Sequence, residues 1–208
     1  MKIGDIIEFG RYTIEVPVPA RPGEQAPVSP ISWRVLDTTD EAVLVISEYG
    51  LDAKPYQDTS VTFPNWKDCS LRKWLNGQFM TLAFNEEERK RIRLTDIDNS
   101  LPQHQIVHPM TGLKPTKDHV FLLSVKEAEV YFPTVESARA MPTEYVKYLH
   151  EQGGTAAPLE EENGRCMWLL RSPGPHIYSV RCISGYGSLD ITSANRARSI
   201  RPAMWISK

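Results

Sequence analysis

The chain has no run of about eighteen apolar residues, so it encodes no membrane-spanning helix. The opening Met-Lys-Ile-Gly-Asp lacks the apolar core of a signal peptide, and the expectation is a cytoplasmic protein or export without a Sec signal. Cysteine is scarce: Cys69, Cys166 and Cys182 are the three, an odd number without paired spacing. That fits buried thiols in a reducing compartment, and spacing leaves a single disulfide open. Charge of either sign is not in excess, with 24 Lys and Arg against 26 Asp and Glu. Without a basic surplus there is no electrostatic footprint for nucleic acid. Glycine is not gathered into a phosphate-binding loop. Gly185-Tyr-Gly187 has no third glycine and no helix after it, so the dinucleotide fingerprint fails and a hairpin turn is the reading. No Gly-x-Ser-x-Gly elbow occurs, and there is no internal repeat.

What is present reads as a soluble globular chain of 208 residues, taken as one domain over 1–208. Alternating apolar residues at Ile3, Ile6, Ile7 and Phe9 open a strand. Residues 17–30 then carry five prolines and read as an extended surface loop. Ser32–Leu36 and Ala42–Ser47 are strands joined by a turn over Asp37–Glu41. Residues 50–67 are turn-rich with scattered aromatics. Asp68 is a cap for a helix on which Leu71, Trp74, Leu75 and Phe79 share one face, with Gly77 weakening it. Asn85 with Glu88, and Ser124 with Glu127, form capping-box patterns before two further helices. Residues 95–118 read as irregular, Val120–Leu123 as a strand, and Thr143 opens a helix that Gly153-Gly154 terminates. Strands, then helices, then strands argue for an α+β fold with a mainly antiparallel, twisted sheet and two or more helices. The first strand is expected to pair with the last.

Patterns that carry chemistry mostly fail on their surroundings. His104 and His108 have zinc-helix spacing but lie between Pro102 and Pro109 without a third ligand. Asp96-Ile-Asp98-Asn99 begins like a calcium loop, then meets Leu101 where glycine is required. Cys166 and Cys182 stand in apolar, strand-like contexts typical of inert thiols. Trp33, Trp74, Trp168 and Trp205 read as core. No catalytic residue, metal or cofactor is therefore assigned.

The end of the chain is different. Cys166-Met-Trp-Leu-Leu-Arg-Ser-Pro-Gly174 and Ile200-Arg-Pro-Ala-Met-Trp-Ile206 are apolar, tryptophan-bearing blocks. Between them lies a polar stretch in which Tyr178 and Tyr186 sit among Ser, Gly and Arg. Amphipathic rings beside small polar residues suit an adaptable recognition surface. The candidate ligand-binding residues are Arg171, Tyr178, Arg181, Tyr186, Asp190 and Asn195. Arg171 and Arg181 supply forked donors for carboxylate or phosphate, and Arg171 serves equally well to tie loops together inside the protein.

These terminal blocks, with Gly4–Tyr12, Trp33–Asp37, Asp68–Asn76 and Val120–Ser124, make the chain resemble a bacterial family of unknown function found in Firmicutes. The resemblance runs from residue 4 to residue 206. It implies a C-type-lectin-like fold, akin to formylglycine-generating-enzyme domains and to the variable proteins of diversity-generating retroelements. In those variable proteins the changeable residues lie between the two terminal blocks, here His176 to Ser199. Cys166 and Cys182 do not match the copper-binding cysteine motif of the enzymes, and a Glu-Pro-Asn calcium triplet is absent. The expectation is a non-catalytic domain that binds a protein or glycan. The alternatives are an oxidase related to the formylglycine-generating enzymes and a structural module of a phage or secretion assembly.

Overall fold

A computed structural model describes residues 1–13, 28–101, 113–151, 159–160 and 164–208. The architecture is mixed α and β, with two main sheets that are almost wholly antiparallel. The first sheet contains β1 (Ile6–Tyr12), β2 (Ser29–Thr38), β3 (Ala42–Ser47) and β13 (Ala203–Ser207), in that order. The expected turn between β2 and β3 forms. The first and last strands share this sheet but do not pair, because the β2–β3 hairpin stands between them. Every residue of β3 is buried, as suits a central Val-Leu-Val-Ile run covered on both faces. Pro30 belongs to β2, opposite Arg11 near its end, where no long ladder depends on its missing N–H.

The second sheet has the order β11 (Leu189–Ser193), β10 (Ser179–Ile183), β9 (Trp168–Pro173), β12 (Arg198–Ile200) and β4 (Asp52–Lys54). Only the β9–β12 contact is parallel. Two short ladders complete the strands. β5 (Thr95–Ile97) pairs with β6 (Thr116–Asp118) inside the segment read as irregular, and β7 (Leu159–Glu160) pairs with β8 (Arg165–Cys166).

The helices sit between the sheets' strands in sequence. α1 (Ser70–Trp74) runs through a π-helical stretch, Leu75–Phe79, into α2 (Met80–Ala83). Its cap is Cys69 rather than Asp68: the Cys69 sulfur accepts the Arg72 N–H, while the Asp68 N–H is taken by Asn65 in a turn. α3 (Glu86–Arg91) and α4 (Val125–Tyr131) carry the expected capping boxes at Asn85/Glu88 and Ser124/Glu127. A further box, Thr134/Ser137, starts α5 (Val135–Ala138), and α6 (Glu144–Glu151) follows Thr143. Among the described residues no helix is long and apolar enough to cross a membrane.

One apolar cluster runs from Phe9 to Ile206. Its largest fully buried members include Trp33, Trp66 and Trp168. Each indole N–H finds an acceptor, as burial demands: Phe9 O at 2.7 Å, Asp118 Oδ2 at 2.9 Å and Ala138 O at 3.0 Å. Trp66 and Tyr56 come from the turn-rich segment and are nonetheless core. Trp74 and Trp205, expected there, are only half-buried. Leu71, Leu75 and Phe79 follow a strict four-residue step and take the inner stripe. Trp74 lies at its border, with the Lys54 ammonium 4.4 Å above its ring.

Val120–Leu123 is buried and extended but is not a strand. It makes one bridge, Phe121 to Ala203. The Asn76 side chain takes the place of a further neighbour, accepting from His119 N at 2.8 Å and Val120 N at 3.2 Å and donating to Val120 O at 2.8 Å.

Candidate ligand surface

The polar stretch between the terminal blocks folds into the β10–β11 hairpin at the open edge of the second sheet. Its ladder runs from Ser179 opposite Ser193 to Ile183 opposite Leu189. The Gly185-Tyr-Gly187 turn closes one end, as its composition predicts. Tyr178 and Asn195 flank the other end.

That second end faces the 59–62 loop. Two backbone links hold the two together, Gln57 N to Ala194 O at 2.9 Å and Phe63 N to Ile177 O at 2.6 Å, while Ala194 N to Tyr178 O at 2.9 Å closes the end of the hairpin itself. The Asn195 amide donates to Ser60 Oγ at 3.2 Å. Between them is a cleft of about 730 Å³, lined by Thr59 to Thr62, Tyr178 and Ser193 to Asn195. Tyr178 is 52% exposed, so its ring is available to a ligand. Among the described residues no carboxylate, ammonium or guanidinium lines the cleft. Next to it Phe63 is held at φ 55°, a left-handed conformation that is costly for a bulky residue and is retained where surrounding structure fixes it.

A family model described as a domain of unknown function, DUF6273, matches residues 40–208. The chain belongs to this family. No curated protein and no solved structure matches it. The family region begins just before β3 and contains the whole cleft, whereas β1 and β2 precede it.

The other candidate residues of this DUF6273 chain are placed apart from the cleft. Tyr186 is exposed at the opposite end of the hairpin, where its carbonyl accepts from Arg139 Nε at 3.0 Å. Arg181 and Asp190 lie within the hairpin strands, opposite Ile191 and Cys182. Arg181 is half-buried, and its Nε has no hydrogen-bond partner among the described residues. Asp190 is exposed and accepts from the N–H of Ile191.

Arg171 is not on the surface: it is 2% exposed. Its guanidinium donates to Asn99 Oδ1 at 3.2 Å, Leu122 O at 2.7 Å and Asp98 O at 2.8 Å. A forked pair with the Glu127 carboxylate completes it. Of its two sequence readings, the geometry is that of tying loops together. The extended Val120–Leu123 segment, the 98–99 turn and the start of α4 all meet on this one side chain.

The remaining motifs also find structural uses. Asp96 pairs with Lys117 at 2.9 Å, and Asp98 accepts from Ser100 at 2.8 Å. That local bonding, with Lys126 nearby, holds the Asp98 carboxyl below its ordinary range. His104 and His108 lie outside the described residues. Cys69, Cys166 and Cys182 are all free and buried. Burial pushes the Cys69 and Cys182 thiols up to about 12 and raises that of Cys166, so none is disposed to be a thiolate at neutral pH.

Sequence reasoning missed the 59–62 wall. Its only signal was a short run of small hydroxyl residues, Thr59-Ser-Val-Thr62, with neither helical nor strand period.

Proposed function

We propose that this DUF6273 chain is a non-catalytic recognition domain with a C-type-lectin-like arrangement. Its cleft between residues 59–62 and Tyr178–Asn195 takes an uncharged, hydroxyl-bearing ligand, a terminal sugar of a glycan. The observation that carries this reading is the lining. Ser and Thr hydroxyls and the Asn195 amide offer both donors and acceptors, and an exposed tyrosine face stacks on C–H groups. Among the described residues no cation lines the cleft, which disfavours a phosphorylated or carboxylated ligand. The volume falls within the roughly 300–1,000 Å³ range of small-molecule clefts. Two mainly antiparallel sheets, with the last strand returning to the sheet of the first, support the lectin-like part of the proposal.

The test is a glycan array run beside a protein array, with any hit followed by titration. Tyr178→Ala is expected to weaken a glycan hit at least ten-fold, and Tyr186→Ala, at the far end of the hairpin, to leave it unchanged. A hit insensitive to Tyr178→Ala, or binding only to proteins, overturns the reading.

A further inference from the structure

A second cleft lies on another part of the molecule, between the start of the chain, β2, and the α4–α5 region. It encloses about 400 Å³, and Val35, Leu36 and Phe132 form its apolar walls. Arg201, from the second terminal block, also lines it. Arg201 is 2% exposed. Its guanidinium stacks over Trp168 at 4.9 Å and Phe132 at 5.4 Å. Nε donates to Ser47 O at 2.9 Å. Nη1 is buried and has no hydrogen-bond partner among the described residues. No ion pair involving Arg201 occurs among the described residues. By contrast Arg171, buried to the same degree, has its fork filled by Glu127.

Among the remaining charges of the cleft only Glu48 favours the Arg201 charge, and it does so at a distance, without an ion pair to Arg201. Arg34 is held by a forked pair with Glu48. Arg139 donates to Tyr186 O and stands 3.7 Å from the exposed Glu136. The lining therefore carries Arg34, Arg139 and Arg201 against Glu48 and Glu136, and the unbalanced charge falls on Arg201. Burial lowers its pKa to about 10, as happens to a cation removed from water. Aromatic faces offset part of that cost, but an isolated buried charge is normally paired.

We propose that this cleft binds a small monocarboxylate with a compact apolar body, its carboxylate neutralising the Arg201 guanidinium and its body resting on Val35, Leu36 and Phe132. The charge count selects the class. One surplus cation matches one negative charge, whereas a phosphate group carries roughly −1.5 to −2 at neutral pH and would lack a partner for the rest. The apolar walls disfavour a bare inorganic ion, which would leave most of the volume unused.

Benzoate is a suitable probe, with benzamide as its uncharged counterpart and chloride and inorganic phosphate as competing anions. Calorimetry on the whole chain is expected to show saturable benzoate binding at least ten-fold tighter than benzamide, with neither inorganic ion displacing it at equal concentration. Arg201→Gln is expected to remove the benzoate preference. Should that variant fail to fold, Ile3→Trp at the exposed rim blocks the same cleft and should weaken benzoate at least ten-fold. Equal binding of benzoate and benzamide overturns the proposal. So does displacement by chloride or phosphate, or benzoate affinity unchanged in either variant. The glycan cleft shares no residue with this one, so either proposal can fail alone.

Discussion

Two glycines of this chain form a matched pair of probes. Gly4 is held at φ +89° and Gly187 at φ +90°, so alanine meets nearly the same backbone penalty at both. That penalty is about 1–2 kcal/mol for a left-handed L-residue. The gain from stiffening the unfolded chain, about 0.4–1 kcal/mol, is also common to both. The surroundings differ. A Cβ at Gly4 meets nothing within 4 Å, whereas one at Gly187 falls 1.8 Å from the Val135 carbonyl oxygen. Real Cβ contacts stay above 3.0 Å, so the hairpin tip and the start of α5 must part by over an ångström. Val135 cannot yield easily, because the Thr134/Ser137 box fixes that turn. The hairpin would therefore move, straining the Arg139 to Tyr186 bond and the Ser184–Ser188 closure. Overpacking costs about 1–3 kcal/mol, and each weakened hydrogen bond about 0.5–1.5 kcal/mol. Gly187→Ala is thus expected to be about 2–4 kcal/mol less stable than Gly4→Ala. Guanidinium unfolding midpoints measure this directly. In thermal scans a chain of this size shifts by about 2–4 °C per kcal/mol, so the gap should be at least about 4 °C. Equal stability of the two variants, within about 0.5 kcal/mol, would refute the packing of the hairpin tip on α5.

Glu127→Ala should cost about 3–5 kcal/mol in chemical denaturation, because it strands a buried guanidinium; a loss below 1 kcal/mol would show that Arg171 does not depend on it. Tyr178→Ala should leave stability within about 0.5 kcal/mol, since the ring is largely exposed, and a large melting-temperature drop would contradict its place at the cleft. The thiols set a pH dependence. Cys69 and Cys182 stay protonated in the fold up to about 12, while in the unfolded chain they titrate near their ordinary value of 9.0. Stability is therefore full below pH 9 and falls as pH rises toward 12, by about 1.4 kcal/mol per pH unit for each thiol once the unfolded form ionises. An unfolding midpoint unchanged from pH 8 to pH 10.5 would count against their burial.

What the sequence made legible was local. Asn85 with Glu88 and Ser124 with Glu127 announced two helix starts, because a capping box is satisfied within four residues. Gly185-Tyr-Gly187 announced its turn for the same reason. The α+β class followed from the order of these elements. What stayed hidden rests on partners far along the chain. Trp66 is core because Asp118 accepts its N–H, and that acceptor is 52 residues away. Val120–Leu123 looks like a strand, yet much of its backbone bonding comes from Asn76, a helix side chain. The first strand and the last are two places apart, because pairing follows which hairpin folds between them.

The arginines carry the same lesson into function. Arg171 and Arg201 stand in terminal blocks of like composition, each beside tryptophan, proline and aliphatic residues, and nothing in either block separates them. Three-dimensional accounting does. Arg171 spends its donors on three carbonyl or amide oxygens and on Glu127, and so has nothing left for a ligand. Arg201 is buried to the same degree, with one nitrogen that has no hydrogen-bond partner among the described residues and two aromatic rings beside it. A residue whose donors are all matched explains a fold. One whose buried charge has no ion-pair partner among the described residues leaves room for a ligand to supply it, and on that ground the second terminal block, rather than the first, is where a charged ligand is to be sought.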